Sequence, residues 1–97
     1  MGFITALKSG DDKKAASFCD ESFLENIKTN YGSLKAYGEK YFQNMDMNTL
    51  VYRAYLYHKK DRPTLQFDVK FSSKEGKQSN LTFYIWTEGN KKVITTG

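Results

Sequence analysis

Apolar residues in the first half of the chain recur at the spacing of an α-helix. The longest repeat places an apolar side chain at every fourth position, which keeps all of its members on one helix face. Its members are Ala15, Cys19, Phe23 and Ile27. Shorter stretches on either side have the same period. The pattern predicts three helices, over residues 3–9, 12–28 and 34–45.

Short-range signals agree with these helices. Asp11 or Asp12 can accept a hydrogen bond from a first-turn amide and so begin the second helix. Gly32 supplies the positive φ that commonly ends a helix, and Ser33 can cap the next one. Gly38 lies inside the third helix, where a glycine costs about 1 kcal/mol relative to alanine. We therefore expect Gly38 to allow the close approach of a neighbouring element.

The apolar period changes to two residues at Thr49. The alternation is clearest in residues 64–71, where every second side chain is apolar, as in a half-buried antiparallel strand. These apolar positions are Leu65, Phe67, Val69 and Phe71. Turn-forming residues separate this segment from similar ones. Four strands are predicted, over residues 49–58, 64–72, 79–87 and 92–96, and residues 44–48 before them are predicted to form a loop.

Helices followed by strands, without alternation, are typical of an α+β fold. We expect the N-terminal helices to pack on one face of a four-stranded antiparallel meander. The chain has 97 residues, which suits a single domain spanning residues 1–97. Its 15% aromatic content excludes most disordered segments. Its apolar stretches are far shorter than the ~18–20 residues of a membrane helix.

Charge is unevenly distributed along the chain. Residues 1–48 carry six lysines and seven acidic residues, so their net charge is −1. Residues 49–97 carry nine basic and four acidic residues, so their net charge is +5. Such asymmetry hints at an acidic partner, but a mildly basic solvated surface also explains it.

Reactive residue types are scarce. The single cysteine and single histidine exclude an internal disulfide and an ordinary four-ligand zinc site. Cys19 lies in the helical apolar stripe, far along the chain from His58, and free cysteine is usually a small core residue. The adjacent carboxylates Asp20 and Glu21 diverge on a helix and cannot meet at one atom. We expect no catalytic residue, no metal and no cofactor, and hence no enzymatic activity.

The second face of the sheet carries aromatic side chains. If Phe83 points towards the helices, Tyr84 and Trp86 lie on the opposite face. In the first strand, either Arg53, Tyr55 and Tyr57 or Tyr52 and Leu56 join them. Aromatic and basic side chains together are typical of protein interfaces and of single-strand nucleic-acid binders. Ordinary cross-strand aromatic pairs on a solvated sheet give the same pattern.

Residues 3–15 read F-I-T-A-L-K-S-G-D-D-K-K-A. This segment resembles the opening of small nuclear transport factor 2-like domains, also called cystatin-like, which occur in bacterial surface lipoproteins and in assembly factors of type IV secretion. The resemblance implies helices packed on the concave side of a curved antiparallel sheet. It further implies an extracytoplasmic protein of the bacterial cell envelope, of the conjugation or secretion type.

Two functional sets of that family have no counterpart in this sequence. Enzymes on this fold place a catalytic Asp/His or Tyr/Asp pair in the cavity between the helices and the curved sheet, and no such pair is evident here. The inhibitory loop of cystatins needs a glycine, which residues 66–70 lack. The resemblance therefore implies a non-catalytic domain that binds or assembles.

The leading hypothesis is a non-catalytic protein-binding or assembly domain. Its predicted partner-binding face consists of Arg53, Tyr55, Tyr57, Tyr84 and Trp86. The alternative is a small-ligand-binding domain that uses the cleft between helices and sheet, and the candidate cleft residues are Tyr31, Tyr37, Tyr41 and Tyr52. Single-stranded nucleic acid is the least favoured ligand. We expect a protein partner or a homodimer, and membrane attachment only through segments absent from this chain.

Overall fold

The computed structural model describes residues 2–59 and 62–96, except for the side chains of residues 57–59. Four helices precede a four-stranded antiparallel sheet with the strand order β1-β2-β3-β4. The predicted α+β fold, with helices packed on a curved meander, is confirmed. The helices are α1 (Gly2–Ser9), α2 (Asp12–Ala16), α3 (Glu21–Tyr31) and α4 (Leu34–Tyr41). The strands are β1 (Met45–Lys59), β2 (Arg62–Ser73), β3 (Gln78–Glu88) and β4 (Lys91–Thr95).

The core lies between the helices and the inner face of the sheet. Phe83 of β3 is 1% exposed, and its ring centre lies 5.7 Å from that of Phe3 in α1. Phe3 meets Phe23 of α3 edge-on at 5.8 Å, a geometry that the ring quadrupoles favour. Phe42, which follows α4, stacks on Phe71 of β2 with ring centres 5.3 Å apart. These contacts attach the helices to the two middle strands.

The single helix predicted over residues 12–28 is wrong, because the chain leaves helical geometry before Asp20. Ile94 of β4 donates its N–H to the carbonyl oxygen of Phe18 and accepts the N–H of Asp20, both at 2.8 Å. Asp20 also caps α3, since its carboxylate accepts the N–H of Phe23 at 2.9 Å. These bonds satisfy backbone groups that a continuous helix would have paired internally. The four-residue apolar spacing continues across the break, so periodicity alone joins the two helices.

The third predicted helix extends too far, because α4 ends at Tyr41 and Phe42 follows as its C-terminal cap. The loop predicted over residues 44–48 belongs to β1 instead. Met45 is buried and pairs with Ser73 of β2. The burial of this side chain in the core outweighs the turn preference of the polar residues around it.

The pairing of β1 with β2 is irregular between Asp46 and Val51, where the register shifts. The side chain of Thr49 bridges the gap. Its hydroxyl oxygen accepts the N–H of Ser72 in β2 at 2.8 Å, in place of a backbone acceptor. From Val51 to Lys59 the pairing with β2 is regular.

The short-range helix signals are confirmed. The side chains of Asp11 and Ser33 each accept a hydrogen bond from the amide three residues further on, at 3.1 and 3.0 Å. Gly32 has a φ of 90° at the end of α3. A Cβ on Gly38 would lie 3.3 Å from the carbonyl oxygen of Leu7. The absence of a side chain at Gly38 therefore lets α4 approach α1 closely.

The register of the sheet decides between the two alternatives for the first strand. Tyr55 of β1 lies in one row with Gln66 of β2 and Tyr84 of β3. Because side chains alternate between faces, odd-numbered residues of regular β1 share the outer face with Tyr84. Arg53 and Tyr55 thus lie on the face of Tyr84 and Trp86, whereas Tyr52 and Leu56 lie on the inner face.

The first prediction tests this assignment of faces. Phe83→Ala should lower the free energy of unfolding by about 3–5 kcal/mol, because it removes a fully buried ring. Tyr55→Ala, on the exposed outer face, should cost less than about 1 kcal/mol. Urea unfolding followed by circular dichroism measures both values. A larger loss for Tyr55→Ala would mean that the two faces are exchanged.

Candidate functional site

Strand β1 carries the exposed apolar surface of the described chain. All five of the large hydrophobic residues that are strongly exposed lie in this strand. A concentration of exposed apolar side chains is typical of an interaction site. The five residues are Met47 (45% exposed), Val51 (61%), Tyr52 (63%), Tyr55 (42%) and Leu56 (72%).

The two edges of the sheet differ in how they are covered. The outer side of β4 is bonded to Phe18 and Asp20 through Ile94, in a parallel bridge centred on Cys19. No segment of the described residues pairs with the side of β1 that faces away from β2. Strand β1 is therefore a long open edge, of the kind that soluble proteins usually shield and that can accept a further strand.

The residues of the predicted partner-binding face share the outer face but differ in exposure. Tyr84 and Trp86 are half-buried, whereas Arg53 and Tyr55 are exposed. A guanidinium nitrogen of Arg53 lies 3.5 Å from the Tyr55 hydroxyl, to which it donates. The backbone of Tyr57 continues this row, and its side chain is outside the described residues. The accessible part of the predicted face is therefore on β1.

Trp86 is covered by a basic side chain. The guanidinium carbon of Arg62 lies 4.2 Å from the centre of the Trp86 ring, a distance at which the cation attracts the ring face. Arg62 is also 4.0 Å from the carboxylate of Glu88. The indole nitrogen of Trp86 is buried and has no hydrogen-bond partner among the described residues. One side of this ring is thus occupied within the chain itself.

Between β1 and β3 the outer face forms a groove of about 660 Å³ with both polar and apolar walls. Its charged walls include Arg53, Lys70 and Asp68. The carboxylate of Asp68 accepts hydrogen bonds from Gln66 at 2.9 Å and from Thr82 at 3.1 Å. This groove mixes both signs of charge and adjoins the exposed side chains of β1.

Three of the four candidate cleft tyrosines pack on each other. The ring centres of Tyr31 and Tyr37 are 4.9 Å apart, and those of Tyr37 and Tyr41 are 5.3 Å apart. A hydrogen bond with the Tyr41 hydroxyl, at 3.3 Å, together with burial, raises the pKa of Tyr31 to about 12. Burial also raises the pKa of Tyr37. Tyr52 is placed apart from them on β1, with its ring centre 6.1 Å from that of Phe67.

An apolar cavity of about 230 Å³ opens between α1 and the inner face of the sheet. Its wall includes Phe3 and Phe18 from the helical side. From the sheet it includes Leu65, Phe67 and Ile85. None of the candidate cleft tyrosines lines this cavity, whose walls are almost entirely apolar.

Cys19 lies in the segment between α2 and α3 and is half-buried. Its thiol donates to the carbonyl oxygen of Ala15 at 3.4 Å. Burial, helped by the negative charge of Asp20, raises the pKa of Cys19 to about 12. The thiol is thus held in its protonated, unreactive form at neutral pH. The side chain of His58 is outside the described residues.

Among the side chains that the structure describes, those of residues 2–56 and 62–96, no three His, Cys, Asp or Glu are grouped so that they could hold a metal ion. The described helices are all too short or too polar to cross a bilayer.

Two residues of this region have no role in the sequence-based predictions. Arg62 lies between the predicted strands 49–58 and 64–72, yet its side chain covers Trp86. The signal for this contact is the opposite charge of Glu88, which ends β3 where Arg62 begins β2. Val51 lies within the predicted strand 49–58 and is exposed. Its apolar neighbour Leu50 points to the other face, so both faces of β1 are apolar at this point.

The second prediction concerns Cys19. A disulfide reagent at pH 8 should label it at least about tenfold more slowly than a free cysteine, since its raised pKa leaves little thiolate. The labelling rate should rise as the pH approaches 12. The chain unfolded in guanidinium is the control and should react at the ordinary rate. Equal rates for the folded and unfolded chains would contradict the burial of this thiol.

The fold can be set beside known proteins now that its geometry is described. No protein-family model matches the chain, and no curated protein matches it in sequence. An α+β domain with N-terminal helices and a four-stranded antiparallel sheet is compatible with the nuclear transport factor 2-like fold.

Proposed function

We propose that this chain is a non-catalytic protein-binding or assembly domain whose binding surface is strand β1. The observation that carries the proposal is the concentration of all five strongly exposed large hydrophobic residues of the described chain in one open edge strand. Membership of the nuclear transport factor 2-like family is part of the same proposal. So is a role in the bacterial cell envelope, as a lipoprotein or a conjugation component, which the opening residues 3–15 suggest.

Both faces of β1 support a protein partner. Tyr52 and Leu56 offer apolar area on the inner face, and Val51 and Tyr55 offer it on the outer face. Arg53, between them, adds the residue type that together with tyrosine is enriched at the energetic centres of interfaces. A partner strand added to this edge would gain backbone hydrogen bonds and would cover both rows of side chains.

A second candidate function is binding of a small apolar ligand in the cavity between α1 and the sheet. The apolar side chains of Phe3, Phe18 and Phe67 favour it. Its volume of about 230 Å³ is below the ~300–1,000 Å³ of most ligand sites, so it suits only a few heavy atoms. Nucleic acid has less support, because Arg62 already covers one side of the Trp86 ring and Asp68 brings negative charge to the outer groove.

The third prediction tests protein binding by β1. The immobilised domain, incubated with an extract of the cells that produce it and with untagged copies of itself, should retain a protein partner. Leu56→Lys should reduce that retention at least tenfold, because it places a charge in the middle of the apolar surface. Quantitative mass spectrometry of the eluted proteins measures the difference.

Thr29→Lys is the matched control for that experiment. Thr29 is also exposed, but it lies in α3, away from the open edge. Its lysine adds the same charge and should leave retention unchanged. If Leu56→Lys and the unmodified domain retain the same proteins in the same amounts, β1 is not the binding surface.

A further inference from the structure

We propose that the partner of β1 is a second copy of the same chain, paired antiparallel with it across a two-fold axis at Ala54. The proposal rests on the proposed protein-binding role of β1 and names its occupant. It follows from three features of the described residues. They are the direction of the free backbone groups, the side chains that the pairing brings together, and the covered state of the opposite edge.

The direction of the backbone groups can be derived from β4. Both the N–H and the C=O of Ile94 bond to the segment outside the sheet, at Phe18 and Asp20. In an antiparallel ladder, successive residues direct these groups alternately to one side and the other. Val93 and Thr95 therefore bond to β3.

The same alternation gives the direction of the backbone N–H and C=O groups in β3 and then in β2. Trp86 and Tyr84, opposite Val93 and Thr95, bond to β4, so Ile85 between them bonds to β2. Ile85 pairs with Leu65, so Leu65 bonds to β3. The next residue of β2, Gln66, therefore bonds to β1. An independent contact agrees. Ser72, which has the same parity as Gln66, donates its N–H to Thr49 of β1 at 2.8 Å.

Gln66 and Asp68 therefore exchange hydrogen bonds with Tyr55 and Arg53, their partners in β1. The intervening residues of β1 direct their N–H and C=O groups away from the sheet. Those residues are Tyr52, Ala54 and Leu56. Among the described residues, none of their backbone groups bonds to any segment outside the sheet. These three residues thus offer three donors and three acceptors at alternate positions.

A two-fold axis at Ala54 uses all of these groups. Ala54 then faces Ala54 of the second copy, and Tyr52 faces Leu56 in both directions. Each of these three pairs can exchange two N–H···O bonds, as a hydrogen-bonded pair of an antiparallel ladder does. The small side chain at the axis lets the two strands approach without a clash.

The side chains at this register are complementary. On the inner face, Tyr52 meets Leu56 of the second copy, and these are the two most exposed large hydrophobic residues of the described chain. On the outer face, Arg53 meets Tyr55 of the second copy, so a guanidinium lies beside an aromatic ring. No like charges face each other.

Neighbouring registers fit less well. An axis at Arg53 opposes the two guanidinium groups, which repel. An axis at Tyr52 pairs Ala54 with Leu50, inside the irregular segment of β1. An axis at Leu56 sets Tyr52 against the position after Lys59, where β1 ends. Only the axis at Ala54 sets Tyr52 and Leu56, the two most exposed large hydrophobic residues of the described chain, opposite each other.

The pairing also closes the assembly. Joining two β1 edges produces one sheet of eight strands, and the edges that remain are the two β4 strands. Those edges are already bonded to the segment at Phe18 and Asp20. Because the axis is two-fold, the pairing closes at two copies, with the isologous symmetry that is commonest among dimers.

The first test is the oligomeric state of the purified chain. Sedimentation equilibrium between about 1 and 300 µM should show a species of twice the 11.2 kDa chain mass. Pairing through one strand buries an area at the low end of specific interfaces, so we expect a dissociation constant on the order of 10 µM. A chain that remains monomeric over the whole range overturns the proposal.

The second test fixes the axis. Ala54→Cys, in a Cys19→Ala background, should form a disulfide-linked dimer under mild oxidation, because paired Cα atoms at the axis lie ~5.5 Å apart. Tyr55→Cys in the same background is the matched control. Its two copies would be offset by two residues along the strands, beyond the ~7 Å that a disulfide can bridge. Faster linkage at Tyr55→Cys than at Ala54→Cys overturns the register.

The introduction of opposite charges at positions 52 and 56 gives a third test, which does not depend on a covalent link. Tyr52→Glu and Leu56→Lys should each weaken dimerisation at least tenfold. The double variant should recover most of the affinity, since the pairing opposes position 52 of one copy to position 56 of the other. Circular dichroism confirms that each variant is folded. A double variant weaker than both single variants contradicts the proposed axis.

These outcomes separate the inference from the function on which it rests. A chain that stays monomeric while Leu56→Lys still loses a retained protein excludes self-pairing and leaves β1 as a binding surface for another protein. A monomeric chain that retains the same proteins with and without Leu56→Lys excludes both.

Discussion

The packing of Phe3 and Phe23 against Phe83 is the contact on which the rest of this structure depends. It attaches α1 and α3 to the inner face of β3, at ring distances of 5.7–6.2 Å. A small domain has few such opportunities, because its ratio of surface to volume is high. The helices therefore cover the middle of the sheet and β4, and the regular part of β1 extends beyond them with its inner face exposed.

The placement of the helices also explains why the β4 edge of the sheet is covered and the β1 edge is open. The break between α2 and α3 brings Phe18 and Asp20 beside β4, so that edge is hydrogen-bonded within the chain. The residues that cover β4 come from the non-helical segment between α2 and α3. Among the described residues, no segment covers β1 in this way at the opposite side. The domain therefore has one sheet edge whose backbone groups are available to a partner strand.

Much of the fold could be predicted because its signals are local. The change from a period of four to a period of two separates helices from strands, and Asp11, Gly32 and Ser33 mark helix ends by short-range bonding. The failures lie where a distant contact outweighs local preference. Bonding to Ile94 interrupts the helix at residues 17–20, and burial of Met45 turns a polar loop into strand.

The sequence by itself determined the fold class, the order of elements and the two faces of β2 and β3, because each follows from the spacing of apolar residues along one element. It also determined that aromatic and basic side chains share the outer face. Only the tertiary structure decided which residues of β1 lie on the outer face, that Arg62 covers the Trp86 ring, and that the β4 edge is bonded while the β1 edge is open. These depend on register and on which segment lies beside which strand. Such pairings join residues that lie between 11 positions apart (Tyr55 and Gln66) and 76 positions apart (Phe18 and Ile94).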